Sequence, residues 1–218
     1  MFTDTSVVAD ERQSCGGPRE YAHAPSEYRI VACEKGDARR AEAEEFVRRR
    51  FLRTHGAHIA TFMPTLLLLT DARGELCAVA GYRCAALEPL FLERYLALPI
   101  EQILASQTGA RARRTEIFEV GNFAAADSRR AKKFMSFMAP WFLARSARWI
   151  VFTATASIRG ILTAMGGHCT ELSTADGACV AGGQDEWGRY YSTDPRVMAG
   201  YLPSARKIPA LWSSHHGD

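Results

Sequence analysis

The stretch from residue 65 to 85 constrains the fold most. Thr65 to Thr70 and Leu76 to Ala85 are two apolar runs separated by Asp71-Ala72-Arg73-Gly74-Glu75, a short polar connection with a glycine. This is the pattern of a hairpin, so two strands are antiparallel. The chain then changes style. Arg114 to Ala124 reads as a strand, Ser128 to about Arg145 as a helix and Trp149 to Thr155 as an apolar strand. Ser157 to Met165 is a short helix stopped by Gly166-Gly167, and His168 to Thr174 is the next strand. Upstream, Tyr28 to Cys33 reads as a strand, and Asp37 is placed to cap a helix running to about Thr54. In that helix Glu44–Arg48 and Glu45–Arg49 are favourable four-residue pairs, with Phe46, Val47 and Phe51 facing inward. A hairpin followed by strand–helix–strand crossovers gives an α/β (α+β) fold with a mixed, largely antiparallel central sheet and helices on both faces. A regular doubly wound sheet is excluded.

The connection from Leu87 to Gly109 carries short helical pieces around Leu90–Leu96 and Ile100–Ser106. Ala178 to Gly182 reads as a further strand, followed by an aromatic segment around Trp187, Tyr190 and Tyr191. Residues 1–26 mix Gly16, Gly17, Pro18 and Pro25 with polar residues and read as a flexible arm. Residues 27–202 then form one domain and 203–218 a C-terminal tail.

Composition narrows the function. With 218 residues, 47% of them hydrophobic, the chain has material for one sizeable core and does not resemble a disordered or fibrous protein. The net charge of +3 is too small for a nucleic-acid binder. Its excess lies between Arg111 and Lys133. No Gly-x-Gly-x-x-Gly or P-loop is present, which argues against dinucleotide and nucleoside triphosphate chemistry. The leucine run 66–69 is far short of the roughly 20 residues that span a bilayer, and residues 1–13 hold no apolar run of signal-peptide length. A cytoplasmic protein without integral membrane association is expected. The six cysteines lack a Cys-x-x-Cys pair and read as reduced, mostly buried thiols.

The chemistry concentrates between Glu116 and Phe137. Period two places Phe118 and Val120 on one side of a strand and Ile117, Glu119 and Gly121 on the other. A carboxylate in so apolar a strand is either half of a salt bridge, with Arg113 or Arg83, or a group whose raised pKa suits it to proton transfer. Gly121 permits a bulge, and Asn122 can bind a polar group. In the following helix Asp127 or Ser128 is the cap, and Phe134, Met138, Trp141 and Phe142 form an apolar stripe. Its first turns carry Arg129, Arg130, Lys132 and Lys133. Cations there oppose the helix dipole by roughly 0.3–1 kcal/mol each, so either the face is solvated or an anion sits beside it. His55 with His58 lacks the further ligands of a metal site, and no metal is expected. His168 and Cys169 are adjacent strand residues on opposite faces, so they make no dyad. Thr153, Thr155 and Arg159 lie at a strand end and the helix after it, where open sheets place ligands.

Several short motifs resemble the thermostable hemolysin family: His55-Gly56-Ala57, Phe62-Met63-Pro64, Ala80-Gly81-Tyr82-Arg83, Pro89 to Leu96 with Pro99-Ile100-Glu101, Glu119-Val120-Gly121-Asn122, Phe152-Thr153-Ala154-Thr155 and Trp187-Gly188-x-Tyr190-Tyr191. That family looks like a branch of the GNAT acyltransferase fold and is distantly similar to the acyl-homoserine-lactone synthases, in which Arg48-x-x-Phe51 has a comparable place. The resemblance implies an acyltransferase. Its donor would be acyl-CoA or a phosphopantetheine-linked acyl group, with an acyl carrier protein as partner, and its acceptor a small amine or amino acid. Glu119 would be the general base, with Asn122 beside it as a further catalytic residue and main-chain amides near Gly121 to Phe123 polarising the carbonyl. Ser128, Arg129, Arg130 and Lys133 would hold the donor phosphate. Arg48, Phe51, Arg83, Thr153, Thr155, Arg159 and Tyr191 would contact substrate. The chain departs from the pattern in three ways. Ala124-Ala125-Ala126-Asp127-Ser128-Arg129 replaces the Gly-rich pyrophosphate loop, the late helix lacks a Tyr general acid, and the acidic pair of the lactone synthases is absent. The family name also leaves a membrane-acting haemolytic protein as a reading, and the missing Gly-rich loop leaves a catalytically inactive GNAT-fold binding module.

Overall fold

The computed structural model describes residues 27–109, 111–180 and 186–205. The expected arm at 1–26 and the tail beyond residue 205 lie outside them. The elements are β1 (Tyr28–Cys33), α1 (Arg40–His55), β2 (Thr65–Asp71), β3 (Leu76–Cys84), α2 (Ile100–Thr108), β4 (Ile117–Ala125), α3 (Ser128–Leu143), β5 (Trp149–Ala154), α4 (Ala156–Ala164), β6 (Cys169–Thr174) and β7 (Arg196–Tyr201). They build a seven-stranded sheet in the order β1-β2-β3-β4-β5-β7-β6. Every neighbouring pair is antiparallel except β4 and β5, which run parallel.

The leucine run explains the layering. In β2, Leu66 and Leu68 pack with Val47 of α1, whereas Leu67 and Leu69 pack with Phe134, Met138 and Phe142 of α3. Both faces of β2 are therefore buried, and the run needs no polar alternation. The connection between β3 and β4, with α2, covers the α1 side of β4, β5 and β7, through Leu92, Ile100, Leu104, Ile117 and Val151. Among the described residues no helix is long and apolar enough to cross a membrane.

Three readings of the sequence change. Asp37 does not cap α1: its carboxylate accepts the Glu34 N–H at 2.7 Å, closing a turn, and the helix starts at Arg40. The buried Arg40 guanidinium instead fastens that helix start by donating to the carbonyls of Met63 (2.8 Å) and Pro64 (2.9 Å). Gly177–Cys179 is a 3-10 turn rather than a strand, because Asp176 accepts the N–H of Ala178; the rest of that expected strand includes residues outside the description. Finally, β7 was not legible, and it inserts between β5 and β6. Of the described cysteines, all free, Cys33 and Cys77 are buried, Cys84 and Cys169 half-buried and Cys179 exposed.

Candidate active site

The parallel pair opens like a V. β4 and β5 are in register only from Ile117↔Trp149 to Val120↔Phe152. Beyond that point β4 stays with β3 and β5 stays with β7. On its β3 side β4 carries an extra residue, since Gly81 faces Gly121 while Val79 faces Ala124. That bulge falls at Asn122, whose φ of 48° is left-handed. The β5 side of Gly121 to Ala125 thus has no strand partner, and its main chain borders the opening.

A cavity of about 890 Å³ fills the opening. Its two sides differ chemically. Ala131, Met135, Met138 and Ala139 of α3, Ile158, Ile161 and Leu162 of α4, and Ile150 of β5 make an aliphatic side. Phe51, His55, Phe91, Tyr95, Trp187, Tyr190 and Tyr191 make an aromatic one. In α4 no residue is buried although its cavity side is apolar. Those side chains face space where a packed neighbour would ordinarily stand.

Glu119 stands on the α1 side of β4 at the vertex, 3% exposed. Its carboxylate accepts the main-chain N–H groups of Phe91 (2.8 Å) and Leu92 (2.9 Å), and Arg83 Nε lies 3.3 Å away. Burial pushes its pKa up to about 7, opposed by the Phe91 N–H, the Arg83 charge and the Leu92 N–H. The expected salt bridge to Arg83 and the expected raised pKa therefore coexist. Arg83 also reaches Glu88 (3.2 Å).

The motif segments interlock at this rim. Met63 lies across the facing pair Gly81 and Gly121: a β-carbon on either glycine would come within 2.6 Å of its side chain. Asn122 fastens the Met63 segment, accepting its N–H at 2.9 Å and donating to the Thr61 carbonyl. Its amide holds a loop, and Asn122 also lines the cavity. Trp187 to Tyr191 straps onto the end of α1. His58 N–H donates to the Glu186 carbonyl (2.7 Å), Arg189 N–H to that of His55 (2.8 Å), and the Arg189 side chain to that of Thr54. Gly188, at φ +52°, passes so close that a β-carbon would stand 2.8 Å from the Gly56 carbonyl oxygen.

The anion site expected at the start of α3 is not assembled. Asp127 is the cap: its carboxylate accepts the Arg130 N–H (2.8 Å) and pairs with the Arg130 guanidinium. The chain thus supplies its own anion to Arg130. Ser128 lines the cavity, but Arg129, Arg130 and Lys133 do not. Periodicity gives the cavity to Ser128, Ala131, Met135 and Met138 and turns the cations away. The Arg129 side chain is 82% exposed and 4.0 Å from Glu27, and Lys133 sits over the Phe137 ring.

Other expected contacts divide. Phe51, Arg83, Thr153, Thr155 and Tyr191 line the cavity, as do Gly121 and Phe123. Arg48 and Arg159 do not. Arg48 pairs with Glu44 and stacks on Phe62, and Arg159 bonds Ala154 and Asp194, tying α4 to the turn before β7. Sequence reasoning missed Tyr95, whose hydroxyl is 2.7 Å from that of Tyr191, and His55 as an aromatic-wall residue. Burial lowers the His55 pKa, with the Arg189 charge, favouring a neutral ring. Among the described residues no cluster of His, Cys, Asp or Glu is placed to hold a metal.

Comparison with solved structures returns the same fold at low identity. The N-acyl amino acid synthase FeeM from uncultured soil microbes gives a TM-score of 0.57 at 18% identity, over 82% of this chain and 94% of that one. The AHL synthase LasI gives 0.55 at 11%, over 80% and 89%. BjaI, a CoA-dependent acyl-homoserine lactone synthase, solved with SAM and isopentyl-CoA, gives 0.53 at 12%, over 79% and 82%. The sheet and its helices are thus GNAT-like. No curated protein matches in sequence. The family model described as thermostable hemolysin matches residues 33–206, which takes in every strand from β2 to β7, and the chain belongs to that family.

Proposed function

We propose that the protein is an N-acyltransferase, moving an acyl group from a CoA or carrier-protein thioester to a small amine or amino acid, with Glu119 as general base. The observation that carries this reading is the two-sided cavity with Glu119 at its vertex. An acyl chain suits the aliphatic side between α3 and α4, where burying each CH₂ is worth about 0.8 kcal/mol. The aromatic side suits the body of an acceptor, whose ammonium group is attracted to ring faces. The solved enzymes of this fold include CoA-dependent synthases, which supports the donor class.

The chemistry needs little from the protein. An ionised carboxylate offers about four acceptor positions. The N–H groups of Phe91 and Leu92 fill two of them, and Arg83, whose Nε–H donates to Met63 Sδ, approaches Glu119 as a charge, which leaves acceptor positions for the amine proton or a bridging water. The amine nitrogen attacks the thioester carbon while its proton passes to Glu119. The oxyanion forms beside the unpartnered main chain of Gly121 to Phe123, whose N–H groups stabilise it. The C–S bond then breaks and the thiolate leaves. An ordinary thiol has a pKa of about 8.5, so departure does not require the missing Tyr of the late helix. Release of free thiol from acyl donors, dependent on an amine and lost in Glu119→Gln, tests the proposal. Its absence with every donor would overturn it.

A further inference from the structure

The large cavity has a smaller neighbour, a groove of about 370 Å³ lined by Phe46, Arg49, Arg50 and Arg53 of α1 and by Ala126 between β4 and α3. Arg50 lines both, so the two spaces meet at one side chain. No acidic residue lines the groove. Arg49 has only a loose pair with Glu45 at 3.8 Å, and the side chains of Arg50 and Arg53 make no ion pair or hydrogen bond among the described residues. Arg49–Arg53 and Arg50–Arg53 are like-charge neighbours at helical spacing, which is unfavourable on an isolated helix. The helix dipole accounts for a cation in the last turn. It does not account for a groove walled by three guanidinium groups that opens beside the acyl cavity. Across the mouth, the start of α3 already holds the Asp127 carboxylate. That carboxylate already takes the Arg130 N–H and guanidinium, whereas Arg50 and Arg53 have no acidic partner among the described residues for an incoming anion to displace.

We infer that the phosphate-bearing arm of the acyl donor lies on α1, held by Arg50 and Arg53 with Arg49 at the edge, rather than at the start of α3. This rests on the acyltransferase reading and sharpens its donor side. Guanidinium groups bind phosphate oxygens in pairs, so they take over from side chains what a Gly-rich loop supplies from main-chain N–H groups. The ligand chemistry is the phosphate of 4′-phosphopantetheine, carried either by coenzyme A or by an acyl carrier protein.

Calorimetric titration of the full chain with coenzyme A, 4′-phosphopantetheine and pantetheine tests this without any turnover. Arg50→Gln with Arg53→Gln weakens the two phosphorylated ligands at least tenfold and leaves pantetheine unchanged. Arg50→Lys with Arg53→Lys keeps the charge and weakens them only severalfold, which separates phosphate binding from a folding defect. Coenzyme A binding tighter than 4′-phosphopantetheine identifies the nucleotide-linked donor; a phosphopantetheinylated carrier protein binding tighter than both identifies the protein-linked one. Unchanged affinity in the glutamine pair, or a wild-type protein that does not distinguish phosphopantetheine from pantetheine, overturns the inference. Arginine-dependent coenzyme A binding without thiol release from any donor overturns the acyltransferase reading alone. Thiol release with an unchanged donor KM in the glutamine pair overturns the phosphate site alone.

Discussion

The carboxylate of Glu119 accepts the main-chain N–H of Phe91 at 2.8 Å, so the group proposed as the base also fastens one wall of the cavity. Phe91 begins the 3-10 turn that carries Tyr95, and both rings face the acceptor side. In Glu119→Gln the side-chain oxygen can still accept one N–H, but its amide opposes the other. Expected are a fall in kcat/KM of at least about 100-fold, typical of a lost general base, and a stability loss of roughly 1–3 kcal/mol. Thiol-release kinetics and urea melts measure the two separately.

The pH dependences of rate and stability run in opposite directions. A base with its pKa near 7 is protonated below that pH, so kcat/KM rises with pH and levels off above about 7. The unfolded carboxyl titrates near 4.3. Between these values the folded state holds a proton that the unfolded state has released. The stability contributed by Glu119 is therefore fully present below about 4.3 and declines as pH rises through 7, by on the order of a few kcal/mol. Initial rates and urea midpoints at pH 5 to 8 show both trends, and Glu119→Gln removes this group's share of each.

Gly188→Ala disturbs the acceptor side specifically. The positive φ and the nearby Gly56 carbonyl leave no room for a β-carbon, so the strap must shift on α1. Strain of this kind costs roughly 1–3 kcal/mol. Because Trp187, Tyr190 and Tyr191 move with the strap, KM for the amine rises several-fold while KM for the donor stays within twofold. Steady-state kinetics with each substrate varied in turn checks the split.

Filling the aliphatic side shortens the acyl chain that is accepted. Ile161→Trp places a ring where α4 faces the cavity. Each CH₂ excluded from apolar surroundings costs about 0.8 kcal/mol, roughly fourfold in kcat/KM. A donor series from acetyl to dodecanoyl shifts its optimum toward shorter chains, with the acetyl donor nearly unaffected.

Local signals in the sequence located the hairpin, the crossovers and Glu119, because each rests on spacing along the chain. The alternation that set Glu119 apart from Phe118 and Val120 is the alternation that turns it toward Phe91 and Leu92. β7 escaped because Ala199 and Gly200 interrupt its apolar pattern. The basic start of α3 misled because a cap is a three-dimensional fact: spacing leaves the cap open between Asp127 and Ser128, and that Asp127 would also hold the Arg130 side chain was not visible. The aromatic wall needed contacts between residues more than a hundred positions apart, such as His55 with Tyr190.

With Glu119 as the proposed base, acyl transfer depends on both an amine and this carboxylate. The most direct measurement is free thiol released by the purified chain from acyl-CoA and acyl-carrier donors across a panel of amines, beside Glu119→Gln. Expected is release that requires an amine and falls at least about 100-fold in the variant. Release at the wild-type rate in Glu119→Gln would remove Glu119 from the chemistry, and no release with any donor would leave the fold as a binding module.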